Sequence, residues 1–268
     1  MPLPRLVAGR VIVAYWVVAS ALVALINLVL FPGPLFDPVS RATAGLANAT
    51  LQANALNLAL FAGIVLGWGR LQPRDVGLDR SRLREALLLT AGLWLAAQLI
   101  VALLAAANGN LQVDPAWSAR GVTVVLGSLL AQLLGNALFE EAAYRGFYLG
   151  QLGARLAARP NLPPGGALVL AALVTQVLFV LSHVPNRIFA GLSLADIPAD
   201  FAFLFVLGLF FTLVYRATGN LFLAVGVHAL MNRPTLVTLA PLPAGYLVGL
   251  LAALLSIYLW RRRRSTGS

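Results

Sequence analysis

The sequence predicts an all-α, polytopic integral membrane protein, a bundle of about eight transmembrane helices. Its 268 residues are 60% hydrophobic and 10% charged, whereas a soluble domain carries about 25% charged residues. Apolar stretches of about 20 residues, the length that a helix needs to cross a bilayer, recur along the chain. These stretches are continuous and do not alternate between apolar and polar residues, so helices are expected and not a barrel.

The predicted helices are separated by linkers that contain most of the prolines, and no linker is long enough to hold a soluble domain. They cover residues 11–31, 51–69, 85–107, 121–150, 166–184, 201–217, 220–239 and 244–260. The first apolar run is too long for a signal-peptide core, so we expect it to be retained as a helix. Residues 1–268 are therefore expected to form a single transmembrane domain.

The basic residues predict the orientation of the chain. The net charge is +10, all 19 basic residues are arginines, and 15 of them fall on the side of the two termini if there are eight helices. By the positive-inside rule both termini should be cytoplasmic. No basic stripe with interleaved aromatic residues accompanies these arginines, so nucleic acid is not an expected partner. The absence of lysine suggests a biased coding composition, which fits a prokaryotic plasma membrane protein.

Residue types and motifs that the sequence lacks exclude several kinds of catalytic and metal site. The chain has no cysteine, which removes disulfides, thiolate metal sites and a cysteine nucleophile. It has no Gly-x-Ser-Gly of the rhomboid type, and its six aspartates fall in linkers or at helix edges, unlike those of aspartyl intramembrane proteases.

Two adjacent glutamates in the fourth predicted helix are the first candidate functional group. Ionisable groups inside a membrane helix are costly and therefore functional candidates. Glu141 and Arg145 are four residues apart and can form an ion pair on one helix face. Glu140 points away from Arg145, and Asn136, one turn earlier, can hydrogen-bond to it. A carboxylate without a cationic partner in an apolar site can act as a general base on water, although a purely structural ion network is the alternative.

Two further motifs contain both histidines of the chain. Phe179 and His183 share one face near the end of the fifth predicted helix. His228 and Asn232 share one face of the seventh, where two donors projecting together can stabilise a developing oxyanion. The alternatives are a helix-end histidine with a structural role and interhelical hydrogen bonding by Asn232. Together the motifs hold the groups that amide hydrolysis by activated water requires.

The motifs Glu140-Glu141-x-x-x-Arg145, Phe179-x-x-x-His183 and His228-x-x-x-Asn232, in this order, resemble the CAAX-protease and bacteriocin-processing family, also called CPBP or Abi. The resemblance covers about residues 120–240. It implies an intramembrane endopeptidase related to the type II CAAX prenyl proteases.

The resemblance also implies roles for the motif residues. Glu140 and His183 would activate the water, and His228 and Asn232 would form the oxyanion site. Glu141 and Arg145 would hold the geometry of their helix.

Metal dependence is left open at this point. Glu140, His183 and His228 have the composition of a His₂Glu zinc site. However, no His-Glu-x-x-His motif occurs. We prefer a glutamate-based mechanism without a cofactor, with a zinc metalloprotease as the alternative.

The expected function is hydrolysis of a peptide bond in a membrane-associated or lipidated substrate that enters the bundle from the bilayer. Two other classes remain as alternatives: a non-enzymatic membrane scaffold or partner-binding protein with a structural polar core, and a transporter that uses Glu140 and the histidines as a proton relay. One conflict accompanies this interpretation, because the predicted helix boundaries place Glu140 and His183 at different depths in the membrane.

Overall fold

The computed structural model describes residues 5–266 and is 77% helical. Within these residues, seven helices are long and apolar enough to cross a membrane. The predicted fold class, an all-α polytopic membrane protein, is therefore confirmed.

Helices are numbered here in chain order, and short ones lie in linkers where none was predicted. They are α1 Gly9–Leu30, α2 Asp37–Ala42, α3 Ala49–Trp68, α4 Leu83–Ala107, α5 Ala116–Arg120, α6 Val122–Ala157, α7 Pro164–Ser182, α8 Val184–Phe189, α9 Ile197–Thr218, α10 Leu221–Asn232 and α11 Ala244–Thr266. Single 3₁₀ turns at Pro73–Val76 and Arg80–Arg82 precede α4. Stretches of α1, α3 and α6 are π-helical, namely Ile26–Leu30, Ala62–Trp68, Ala131–Asn136 and Glu141–Tyr148.

One of the predicted membrane helices is shorter than expected. The helix expected over 220–239 is the 12-residue α10, which ends at Asn232. Its length of about 18 Å is shorter than the ~30 Å hydrocarbon core of a bilayer. Pro234 lacks a backbone N–H and forces Arg233 out of the α conformation, to φ −143° and ψ 83°. The cytoplasmic placement of both termini was based on an even helix count and stays a prediction.

The described chain divides into two compact units. Unit 1 contains the residues up to Phe36, Ala53–Asp79 and Phe139–Leu213; unit 2 contains Asp37–Gln52, Arg80–Leu138 and the residues from Val214 onward. The single domain over 1–268 stays a prediction, and its residues 1–4, 267 and 268 lie outside the described part.

Aromatic packing between α1, α3 and α6 forms the core of unit 1. The fully buried ring of Tyr15 meets Phe61 and Phe147 edge-on at 5.6 and 5.7 Å between centroids and stacks on Tyr148 at 5.6 Å. Such pairs contribute about 0.5–1.5 kcal/mol beyond the area they bury. This cluster fixes α1 and α3 against the π-helical part of α6.

The start of α1 is also tied to the end of α6. Gln151 accepts a hydrogen bond from the backbone N–H of Val7 at 3.0 Å and donates to the carbonyl of Arg5 at 2.7 Å. Arg155 donates to the carbonyl of Val7. These polar residues lie beyond the predicted helix end at 150 and are part of α6.

In unit 2, α10 packs closely on α4 and α11. A Cβ at Gly226 would lie 2.0 Å from Thr90 Oγ1, and one at Gly245 would lie 2.5 Å from the carbonyl oxygen of Met231. Glycine is therefore required where α10 contacts each neighbour.

The segment after α10 is held by hydrogen bonds from two tryptophans. Trp94 Nε1 donates to the carbonyl of Pro234 at 3.1 Å and Trp117 Nε1 to that of Leu236 at 2.8 Å. Together with the α10 packing, these bonds fix the position of the last turn of α10, which carries Asn232.

Candidate active site

The middle of α6 forms the floor of the candidate site in unit 1. Residues 139–149 are all buried, and the helix becomes π-helical at Glu141, directly after Glu140. Single π-helical turns within α-helices occur frequently at functional sites, because the wider turn changes the direction in which side chains project. Two carboxylates thus lie at the junction of an α and a π segment.

Glu141 and Arg145 form the ion pair that their spacing predicts. Arg145 Nη1 lies 3.1 Å from Glu141 Oε1, and both side chains are fully buried. Removing one partner of a buried pair leaves an uncompensated charge, which costs about 3–5 kcal/mol. The pair therefore holds this part of α6 in one geometry.

Helices α7 and α9 complete the surroundings of the Arg145 guanidinium. Arg145 Nη2 donates to the carbonyl of Gly208 at 2.8 Å, and Gln176 Oε1 lies 3.4 Å away. The guanidinium carbon is 4.7 Å from the centroid of Phe179 and 5.6 Å from that of Phe211, distances at which a cation is attracted to a ring face.

Gly208 and Gln176 are partners that the sequence did not reveal. A Cβ at Gly208 would lie 1.9 Å from Gln176 Oε1 and 3.1 Å from Arg145 Nη2. Gln176 Nε2 in turn donates to Thr212 Oγ1 at 3.1 Å. The polar character of Gln176 within an apolar helix was an available signal, whereas a glycine 63 residues from Arg145 gave none.

Glu140 and His183 lie next to each other. His183 Nε2 is 3.8 Å from Glu140 Oε1, and their side chains are 17% and 10% exposed. His183 Nδ1 lies 2.7 Å from the carbonyl oxygen of Phe179. Since that oxygen can only accept, Nδ1 carries the hydrogen. In the neutral imidazole, the lone pair of Nε2 therefore lies on the side of Glu140.

The Phe179 ring contacts both His183 and the buried Arg145 side chain in unit 1. Its ring centroid is 4.6 Å from that of His183, 5.1 Å from that of Tyr144 and 4.7 Å from the guanidinium carbon of Arg145. Phe179 and His183 thus lie on one face, as their spacing predicts, and their rings are in contact.

The expected difference in depth between Glu140 and His183 does not occur. Helix α6 continues to Ala157, and α7 packs against its last turns. Glu140 lies 17 residues before Ala157, and His183 lies 19 residues after Pro164. At 1.5 Å per residue these paths are about 26 and about 29 Å, so the two side chains reach the same level. The conflict arose from ending the helix at 150.

His228 and Asn232 lie on α10 in unit 2. His228 is buried, with 3% exposure. Asn232 Nδ2 donates to Gln132 Oε1 at 3.0 Å, and Asn136 Nδ2 lies 3.4 Å from the same oxygen. Gln132 was not predicted, although a polar residue one turn before Asn136 in an apolar run was a usable signal. It fixes the amide of Asn232.

The side chains that could bind a metal ion are the His, Asp and Glu residues of the described chain. Among residues 5–266, no three or more His, Asp or Glu side chains lie close enough together to hold a metal ion.

Comparison with known families defines the class of protein. Residues 121–233 match the family model described as type II CAAX prenyl endopeptidase Rce1-like. The fold and this match support a CAAX-type intramembrane protease in general terms. The matched segment contains the three motifs and is similar to this family. No curated protein and no solved structure matched the chain.

Proposed function

We propose that this integral membrane protein is an endopeptidase in which Glu140 and His183 activate a water molecule. The observation that carries the proposal is the 3.8 Å distance between His183 Nε2 and Glu140 Oε1 in a largely buried setting. A carboxylate and an imidazole so placed can share the proton that water loses as it attacks a carbonyl carbon.

In this mechanism Glu140 accepts a proton from the attacking water, whose oxygen forms a bond to the scissile carbonyl carbon. The C–N bond then breaks, and the proton passes to the leaving amine from Glu140 or from His183 Nε2. The hydrogen bond from His183 Nδ1 to the Phe179 carbonyl keeps Nε2 available for this transfer. The products are a carboxylic acid and an amine, and transfer of the second water proton from the acid to the amine gives a carboxylate and an ammonium group.

His228 and Asn232 are proposed as donors to the oxyanion of the tetrahedral intermediate. The support is the four-residue spacing of the motif together with the family match over 121–233. The hydrogen bond to Gln132 restricts the rotation of the Asn232 amide, and a preorganised donor stabilises a transition state better than a mobile one. A single donor of this kind contributes about 10²–10³ in kcat.

Glu141 and Arg145 are proposed as positioning residues. Their buried ion pair, the Gly208 carbonyl and the Phe179 ring connect α6 with α7 and α9. This connection positions Glu140 next to His183. Glu140 directly precedes Glu141 in the chain, and His183 shares a helix face with Phe179.

The proposed substrate is a membrane-associated or lipidated peptide that reaches the protein from the bilayer. The name of the matching family points to a prenylated C-terminus. We further propose a prokaryotic plasma membrane location with both termini in the cytoplasm, for which the support is the arginine distribution.

The test is cleavage of a panel of lipidated and unlipidated fluorogenic peptides by purified protein in detergent, with product masses measured. Glu140→Gln should abolish cleavage, whereas Glu85→Gln, the same change at a glutamate with a 44% exposed side chain, should not. Unchanged cleavage in a zinc chelator supports the metal-independent mechanism, and loss of cleavage supports the zinc alternative. If the folded wild type cleaves no member of the panel, the scaffold interpretation replaces the peptidase.

A further inference from the structure

A network of polar side chains begins directly after His183 in the chain and lies outside the three motifs. It joins α8 to α9 and α1 within unit 1, and its members, called the α8 network here, are Asn27, Asn186, Arg187 and Asp200. Arg187 donates two hydrogen bonds to Asp200 on α9, from Nε to Oδ2 at 2.7 Å and from Nη2 to Oδ1 at 3.1 Å. The planar guanidinium matches a carboxylate in this arrangement, so the two bonds fix the orientation of both groups.

The α8 network continues from Arg187 to α1. Arg187 Nη1 donates to Asn186 Oδ1 at 2.7 Å, and Asn186 Nδ2 donates to Asn27 Oδ1 at 3.1 Å. Asn27 is 6% exposed, and its own Nδ2 donates to the carbonyl of Val23 at 2.9 Å. A polar side chain buried in an apolar membrane helix is costly unless it is hydrogen-bonded. The bond from Asn186 therefore accounts for an asparagine that the sequence left unexplained.

His183 forms the corner between α7 and α8. It follows Ser182, the last residue of α7, and precedes Val184, the first residue of α8. Its carbonyl oxygen accepts a backbone hydrogen bond from the N–H of Arg187 at 3.0 Å. Since Arg187 belongs to the first turn of α8, the orientation of that turn sets the backbone of His183.

Apolar burial contributes little to the placement of this turn. None of the six residues of α8, all of which the structure describes, is buried. Phe189 contacts Phe31 at 5.8 Å between ring centroids, but it lies at the opposite end of α8 from His183 and is 47% exposed. The Arg187 and Asp200 side chains, in contrast, are only 21% and 25% exposed. The direction of the first turn therefore depends mainly on the α8 network.

We propose that the residues of the α8 network are positioning residues that hold the His183 imidazole against the Glu140 carboxylate. The hydrogen bond from His183 Nδ1 to the Phe179 carbonyl fixes the ring to α7. The α8 network fixes the backbone of the same residue from the other side of the corner. Together they maintain the 3.8 Å distance between His183 Nε2 and Glu140 Oε1. The inference rests on the proposed peptidase function, because the network acts through His183.

The activity test is Arg187→Gln, measured with the best peptide of the panel. It should lower kcat about tenfold to hundredfold, the effect of displacing a catalytic group by about 1 Å, with KM within about twofold of wild type. Asp200→Asn should have the same effect, and the double variant should be no worse than either single variant, because all three break the same pair. The matched control is Arg41→Gln, whose pair with Asp37 has side chains that are 74% and 57% exposed, and it should change neither constant.

Nuclear magnetic resonance of the histidine rings separates failure of this inference from failure of the peptidase function. His183 and His228 are the only histidines of the chain, so isotope labelling of histidine gives two sets of ring signals, which His228→Gln assigns. Arg187→Gln should shift the His183 signals and leave those of His228 in place, even if the wild type cleaves no peptide. If Arg187→Gln does not fold, Asn186→Ala, which keeps the pair of Arg187 with Asp200, takes its place with the same expectation.

Several results would overturn the inference. His183 signals that stay in place overturn it whatever the value of kcat, and shifts of equal size at both histidines do so as well, because they indicate a general change of structure. In an active protein, a loss confined to KM, or a kcat within about twofold of wild type, also overturns it.

Discussion

Replacing the buried ion pair of α6 one residue at a time tests its structural role quantitatively. Arg145→Met leaves the fully buried Glu141 carboxylate without its 3.1 Å partner, and it removes the donor to the Gly208 carbonyl. The expected loss is about 3–5 kcal/mol of unfolding free energy, and Glu141→Gln should lose a similar amount because it leaves the guanidinium uncompensated. The double variant contains no uncompensated charge, so it should cost about as much as one single variant. The coupling energy then equals the cost of one single variant, about 3–5 kcal/mol.

The assay is unfolding by increasing SDS in mixed micelles, followed by far-ultraviolet circular dichroism. Arg41→Met is the control, because its pair with Asp37 has side chains that are 74% and 57% exposed. It should lose no more than about 1 kcal/mol. Two results would refute this reasoning. One is a double variant whose loss of unfolding free energy equals the sum of the two single losses. The other is a loss below about 1 kcal/mol for Arg145→Met.

Two further predictions concern the positions around the candidate site. Gly208→Ala should lower the unfolding free energy by about 1–3 kcal/mol, because the new Cβ would lie 1.9 Å from Gln176 Oε1 in a packed interior. The control is Gly92→Ala, which has open space at the Cβ position and should leave the unfolding free energy unchanged in the same SDS assay. Asn232→Ala should lower kcat by about 10²–10³ with KM nearly unchanged in the peptide assay; a loss confined to KM would assign Asn232 to substrate binding.

Much of the fold could be predicted because the bilayer imposes strong requirements on a sequence. Long apolar runs gave the membrane helices within a few residues, and the spacing of Glu141 and Arg145 gave their ion pair. The end of α10 was missed because the apolar residues after Pro234 outweighed the effect of that proline in a hydropathy window. The end of α6 was missed for the opposite reason, since Gln151 and Arg155 are polar but bond to the start of α1.

Only those features of the candidate site that depend on the spacing of residues along one helix could be predicted. Residues four apart on one helix share a face whatever the tertiary structure, so each motif could be recognised by itself. The contact between Glu140 and His183 depends on the turn between α6 and α7, and the approach of Gly208 to Arg145 depends on how α9 packs. Such long-range contacts require coordinates.

The most direct test of the central claim, that Glu140 activates the attacking water, is the single-turnover cleavage rate of Glu140→Gln with the best peptide. The substitution keeps the shape of the side chain and removes its basicity. Loss of a general base predicts a rate about 10²–10⁴ times lower than that of wild type, with the unfolding free energy not reduced. A rate within about tenfold of wild type would contradict the account.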